Sequence, residues 1–266
     1  MASNKTVLLS IDNDGIALIE LNRPNARNAM SAQLDRELKH TIIQCENDDR
    51  VKCMVLTGKG KAFCAGVDLK EFAAGKGADP RAKSTDLSNF KKGGLFAGRK
   101  KPLIGAINGP SVTGGLEMAL NCDFLIASTK ASFADTHARV GVMPGWGLTV
   151  ILPQWIGVNR ARQMSITGNY VFAKQALDWG LVNEVVEPEK LVPRAIELAK
   201  AVTTIDTNAV KHMLATYDNT TGGTIDDGFI TEQKFKAQFK ESDGKEVGNK
   251  FEGIRNRGAT QQKAKL

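Results

Sequence analysis

The sequence predicts an α/β core over residues 1–200 followed by an α-helical region over residues 201–266. Three observations carry this. Strand-like apolar runs alternate with helix-like stripes through the first half of the chain. Two glycine-flanked segments, Phe63 to Leu69 (FCAGVDL) and Gly109 to Asp123 (GPSVTGGLEMALNCD), each follow such a run and lead into a helical pattern. Beyond Pro144 the periodicity turns mostly helical, so strands come first and helices last.

Each element has its own reason. Val7 to Ile11 and Ile16 to Leu21 read as a hairpin because Asn13, Asp14 and Gly15 supply a turn between two β-prone runs. After the loop NRPNARNAM, Ser31 is a natural N-cap for a helix whose Leu34, Leu38 and Ile42 share one stripe. Val51 to Thr57, apolar from Cys53 to Leu56, reads as a buried-type strand. Ala74 to Gly94 is polar and rich in Gly, Lys and Ser, which predicts a mobile loop with a little helix. Leu103 to Asn108 and Asp123 to Ser128 are further strands, with the second glycine segment between them. Apolar stripes in Leu191 to Val202 and Thr207 to Tyr217 predict the later helices.

Bulk properties narrow the function classes. The chain has 266 residues, 42% of them hydrophobic and 24% charged, the balance of a globular enzyme with a substantial core. No apolar run has bilayer-spanning length, and the start MASNKTVLLS lacks signal-peptide character, which argues against a membrane protein. Cys45, Cys53, Cys64 and Cys122 sit in or beside apolar runs without metal-ligand or redox spacing, so buried free thiols are expected and no metal site. The net charge of +7 gathers partly at Lys91, Lys92, Arg99, Lys100 and Lys101 and partly after Lys245. No aromatic residues interleave there in the way a stacking platform requires, which argues against nucleic acid and for a solvated basic surface that attracts a phosphorylated small molecule.

The two glycine segments carry the chemistry. A strand, a glycine turn and a helix start leave backbone N–H groups unpaired. Two such donors aimed at one point hold a developing oxyanion. Glu117 falls in the first turn of the second helix, beside those donors, where it can take a proton from water.

Along nearly its full length the chain resembles the crotonase (enoyl-CoA hydratase/isomerase) superfamily. The matching stretches are LNRPNARNAM, KAFCAGVDLKEF, KPLIGAINGPSVTGGLEMALNCDFLIAS, ASFADTHARVGVMPGWG and GLVNEVV, with a closing helix around Asp243, Glu246, Phe251 and Arg255. The resemblance implies a spiral of ββα turns and C-terminal helices that build a homotrimer, often paired into a hexamer. It implies an acyl-CoA substrate and no separate cofactor, since coenzyme A is part of the substrate. It assigns the oxyanion donors to the amides of Ala65 and Gly114, with Gly66 and Gly115 permitting the turns. Glu117 becomes the proton-transfer residue. Ala26 and Arg27 would lie along the CoA nucleotide, with the backbone from Phe63 through Ala65, Gly66 and Val67 against adenine and pantetheine. Asp68 is expected to cap the helix that follows, and Trp146 either lines the acyl pocket or belongs to the core.

One position departs from the family pattern. Hydratases of the family carry a second glutamate, and aligning Phe133 and Gly141 to Pro144 puts His137 there, with Asp135 and Thr136 in place of glutamine and proline. Either Glu117 raises the His137 pKa so that an imidazolium serves as general acid, or His137 pairs with Asp135 and lines the pocket. Enoyl-CoA hydration is the expected reaction. Double-bond isomerisation, or another lyase or decarboxylase step through the same enolate, needs only one base. A catalytically weak acyl-CoA or RNA binder is the alternative outside enzymology. The last residues, Ala264, Lys265 and Leu266, resemble a peroxisomal address, which implies a peroxisome in a eukaryote and the cytoplasm otherwise.

Overall fold

A computed structural model describes residues 5–68, 70–71, 94–96, 98–220 and 225–238. The expected α/β class holds. Strands β1 (Val7–Ile11) and β2 (Ile16–Leu21) form the antiparallel hairpin, and Asp12 closes its turn by accepting the amides of Asp14 and Ile16. Strands β3 (Cys53–Gly58), β4 (Leu103–Ile107), β6 (Phe124–Ser128) and β9 (Glu184–Val186) then add in parallel, giving a six-stranded sheet ordered β1-β2-β3-β4-β6-β9. A second sheet is small: β5 (Pro110–Val112) pairs in parallel with β7 (Ser132–Ala134), which pairs antiparallel with β8 (Val171–Phe172).

The large sheet is covered on both faces, which explains its unbroken apolar strands. Met54 and Leu56 of β3 join the main core with Leu34, Leu38 and Ile42 of helix α1 (Ala32–Asn47). The alternate residues Cys53 and Val55 face a second cluster with Leu191, Ala195 and Ala199 of a later helix, Pro188–Thr203. Ser31 caps α1 as its sequence suggested, accepting the Leu34 amide at 3.1 Å. Helix α2 (Gly114–Leu120) is buried along its whole length. Helices α3 (Leu148–Ile156), α4 (Val158–Thr167), α5 (Ala173–Trp179), α6 (Pro188–Thr203), α7 (Thr207–Thr220) and α8 (Ile225–Gln238) follow. The chain clusters into two compact units, Met1–Lys211 and His212–Leu266.

Three sequence readings change. Pro110–Val112 is a strand, where a continuous glycine turn was expected; its partners β7 and Cys64 are remote in sequence, so no local periodicity marks it. The pairs β8 and β9 interrupt the helical second half for the same reason, being only two and three residues long. The basic cluster is also less of a solvated surface than its sequence implies. Arg99 makes two 2.8 Å bonds to Asp123, and Lys101 is 4% exposed, with Nζ donating to the carbonyls of Cys45 and Asp48 at 2.8 Å. The four cysteines are buried with free thiols, and burial pushes Cys53 and Cys64 up to about 12. Residues 74–93, Lys91 and Lys92 among them, the helix around Asp243 to Arg255 and the tail from Ala264 to Leu266 lie outside the described residues.

Candidate active site

The two glycine segments meet. Phe63 and Cys64 donate their amides to the Pro110 carbonyl at 3.1 Å, and Val112 donates to the Cys64 carbonyl at 3.0 Å. A side chain at Gly115 would stand 2.1 Å from that Cys64 carbonyl, so this approach requires glycine. Gly66 has φ +94°, and a Cβ there would lie 2.2 Å from the Thr113 hydroxyl. Thr113 itself has φ 49°, a strained turn that aims the chain from β5 into α2 and costs about 1–3 kcal/mol. A backbone step this sharp sets Gly114 at the first helical position, where its N–H has no intrahelical acceptor.

The partner amide is not the one expected. Ala65 donates its N–H to the Arg27 carbonyl at 3.0 Å, so that donor is spent on the 23–30 loop. Two residues on, the pattern reverses. Met30 bonds both neighbours of Val67, donating to the Gly66 carbonyl and accepting the Asp68 amide. In a parallel bridge this turns the N–H of Val67 away from Met30. Among the described residues Val67 N–H meets no acceptor. Sequence reasoning missed this because a strand's N–H direction depends on its pairing, and the pairing partner is a loop residue.

Asn28 holds that loop. It is fully buried at φ 54°, its side chain donates to the carbonyls of Lys59 and Ala62, and its oxygen accepts the Arg23 amide. Arg23 in turn pairs with Asp68 at 2.9 Å, and Asp68 accepts the Lys70 amide at 3.1 Å, the capping role expected of it. Ala26 closes a short 3-10 turn (Pro24–Ala26) and Arg27 is exposed. The Phe63 side chain is core, leaving only its backbone near the segment.

Glu117 points inward and is 2% exposed. Its Oε1 accepts the amides of Gly145 at 3.1 Å and Trp146 at 2.6 Å, with Leu148 at 3.5 Å. Asn121 pins the same loop by donating to the Trp146 carbonyl at 2.9 Å. With Oε1 so held, Oε2 is the oxygen left for chemistry, and it stands 3.5 Å from His137 Nε2. His137 is 6% exposed and its Nδ1 lies 2.6 Å from Asp135 Oδ1. His137 thus contacts Glu117 with one nitrogen and Asp135 with the other. Burial opposes charge on the ring, but the bonds to Asp135 and Glu117 prevail and raise it to about 9. Asp135 is held below the usual carboxylate range: burial would raise it, and hydrogen bonds from His137 and Ser165 outweigh that.

Trp146 reaches the same place. Its ring carbon Cζ3 is 2.9 Å from where a Cβ on Gly114 would stand, so the indole lies over the helix start. The site thus has a carboxylate held through Oε1, an imidazole in contact with its other oxygen and an indole over the helix start. Among the described residues no cluster of His, Cys, Asp and Glu is placed to hold a metal.

Comparison with known proteins follows the same line. The family model described as Enoyl-CoA hydratase/isomerase matches residues 12–256. A crystal structure of enoyl-CoA hydratase from Mycobacterium tuberculosis H37Rv is 41% identical, with TM-score 0.73, covering 87% of this chain and 99% of that one. A probable peroxisomal enoyl-CoA hydratase 1 of Arabidopsis thaliana is 37% identical over 75% of this chain and 74% of its own length. The 1,2-epoxyphenylacetyl-CoA isomerase of Escherichia coli is 33% identical over 74% of this chain and 76% of its own.

Proposed function

The chain belongs to the enoyl-CoA hydratase/isomerase (crotonase) family, and from that premise we propose that it hydrates a 2-enoyl-CoA. The observation that carries this reading is the 3.5 Å pairing of the buried Glu117 and His137; the reading assigns the thioester oxygen to the N–H groups of Val67 and Gly114. The two N–H groups receive the thioester oxygen, which gains charge as water adds. Glu117 Oε2 takes a proton from that water while its oxygen bonds to Cβ. The displaced π electrons move onto the thioester oxygen, and Cα then takes the Nε2 proton of His137 as the carbonyl re-forms. Glu117 is left protonated and His137 neutral. Their direct contact lets the proton pass from Oε2 to Nε2, which restores the starting state.

The test is turnover of 2-enoyl-CoAs of graded chain length by wild type and Glu117→Gln. The expected result is hydration by wild type on some member of the series, and a large loss in the variant with acyl-CoA binding kept. No hydration at any length would sink the reading. Isomerisation is the second reading, favoured by the imidazole in place of a second carboxylate at position 137 and by a family description that names both hydratase and isomerase. Feeding a 3-enoyl-CoA separates the two, because an isomerised product gains no mass. A homotrimer or hexamer, and a peroxisomal address in the last three residues, remain part of this proposal; light scattering and localisation of a tail-truncated chain test them.

A further inference from the structure

Outside the groups that touch substrate in this scheme, one buried acid has no assigned part. Asp135 is 3% exposed, and its Oδ1 accepts both the His137 backbone amide at 3.2 Å and the ring Nδ1 at 2.6 Å. A carboxylate only accepts hydrogen bonds, so Nδ1 must carry a proton. On the other side, Nε2 faces the Glu117 carboxylate, which likewise only accepts. With Glu117 ionised as the base of the scheme above, both ring nitrogens carry protons in the resting site. When the ring gives one up, Asp135 decides which remains.

We propose that Asp135 is a positioning residue that keeps the Nδ1 proton in place, so that His137 always surrenders the Nε2 proton, the one directed at Glu117 and the substrate. This rests on the hydration reading above. It accounts for a charged acid buried just after β7, where a neutral residue would pack at less cost. The step is a proton transfer alone: Nε2–H breaks, the substrate Cα–H forms, and the Nε2 lone pair left behind is the acceptor for the proton that Glu117 returns. Without the carboxylate the ring could settle with its proton on Nε2 and a bare Nδ1. That neutral tautomer still hydrogen-bonds Glu117 but has no readily lost proton to give. The groups facing the ring are Glu117 from α2 and Asp135 from its own segment, with Ser165 of α4 behind Asp135.

Nitrogen-15 imidazole shifts of His137, followed against pH in wild type and Asp135→Asn, test this. In wild type both nitrogens should read as protonated at neutral pH, and at high pH the remaining proton should sit on Nδ1. In Asp135→Asn the ring should deprotonate at lower pH and populate the Nε2–H tautomer. Its kcat should fall roughly 10²–10⁴-fold, with binding of a saturated acyl-CoA unchanged. A wild-type ring that keeps its proton on Nε2 at high pH overturns the proposal, as does a variant with wild-type titration. If the shifts behave as expected but no 2-enoyl-CoA is turned over, the Asp135 assignment stands and the hydration reading falls.

Discussion

The indole of Trp146 lies against the Cα of Gly114, with 2.9 Å between its Cζ3 and the place a Cβ would take. A methyl at position 114 therefore meets the ring before it meets solvent. For Gly114→Ala we expect kcat/KM on the best substrate to fall by about 10²-fold or more, the order seen when one oxyanion donor is lost. Pairing it with Trp146→Ala makes room and should recover most of that rate. A double variant as poor as the single one would show that the ring is not the obstacle.

Trp146→Ala alone should widen acyl acceptance. The ring lies over the helix start, and its backbone amide would still bond Glu117 Oε1. The preferred acyl chain should lengthen while kcat on the shortest substrate drops only modestly. An unchanged chain-length profile would place the indole in the core and not at the pocket.

Glu117→Gln keeps an acceptor for the amides of Gly145 and Trp146, so the fold is expected to survive. It removes the base. A loss of about 10²–10⁴-fold in kcat is expected, with acyl-CoA affinity near wild type. Full activity in the variant would assign proton transfer elsewhere.

The pH dependence has a definite sign. His137 is raised from 6.5 to about 9; burial opposes the shift, and bonds to Asp135 and Glu117 produce it. Its stabilising contribution is complete below the unfolded value of about 6.5 and is lost as pH rises through about 9. Melting temperature should therefore decline over that interval in wild type and decline less in His137→Gln. Identical slopes in the two proteins would remove His137 as the cause.

Lys101 ends helix α1 from outside, donating to the Cys45 and Asp48 carbonyls. Lys101→Met fills the volume but leaves both carbonyls without that donor. We expect a loss of about 3 kcal/mol in urea unfolding, with kcat unchanged. A loss near zero would mean that water reaches those carbonyls.

Much of this was legible in the chain. The hairpin turn, the Ser31 cap and the β3 run declare themselves because their causes are local: turn residues, a capping hydroxyl, an apolar stripe. Glu117 was legible from its place in a glycine-started helix. What escaped depends on distant partners. The Arg27 carbonyl claims Ala65, and only the Met30 pairing reveals Val67 as the open donor. Likewise the double engagement of His137 needs α2 and the segment after β7 to meet, which no spacing along the chain records.

The bridge between Cys64 and Ser111 has an evolutionary corollary. It fastens the electrophile-binding groups to main chain, and main chain is the one part of a protein that point substitutions leave in place. Side chains around such a cradle are free to be exchanged without undoing it. His137 could then be exchanged for another acid or base while the main-chain amides stay where this pairing puts them.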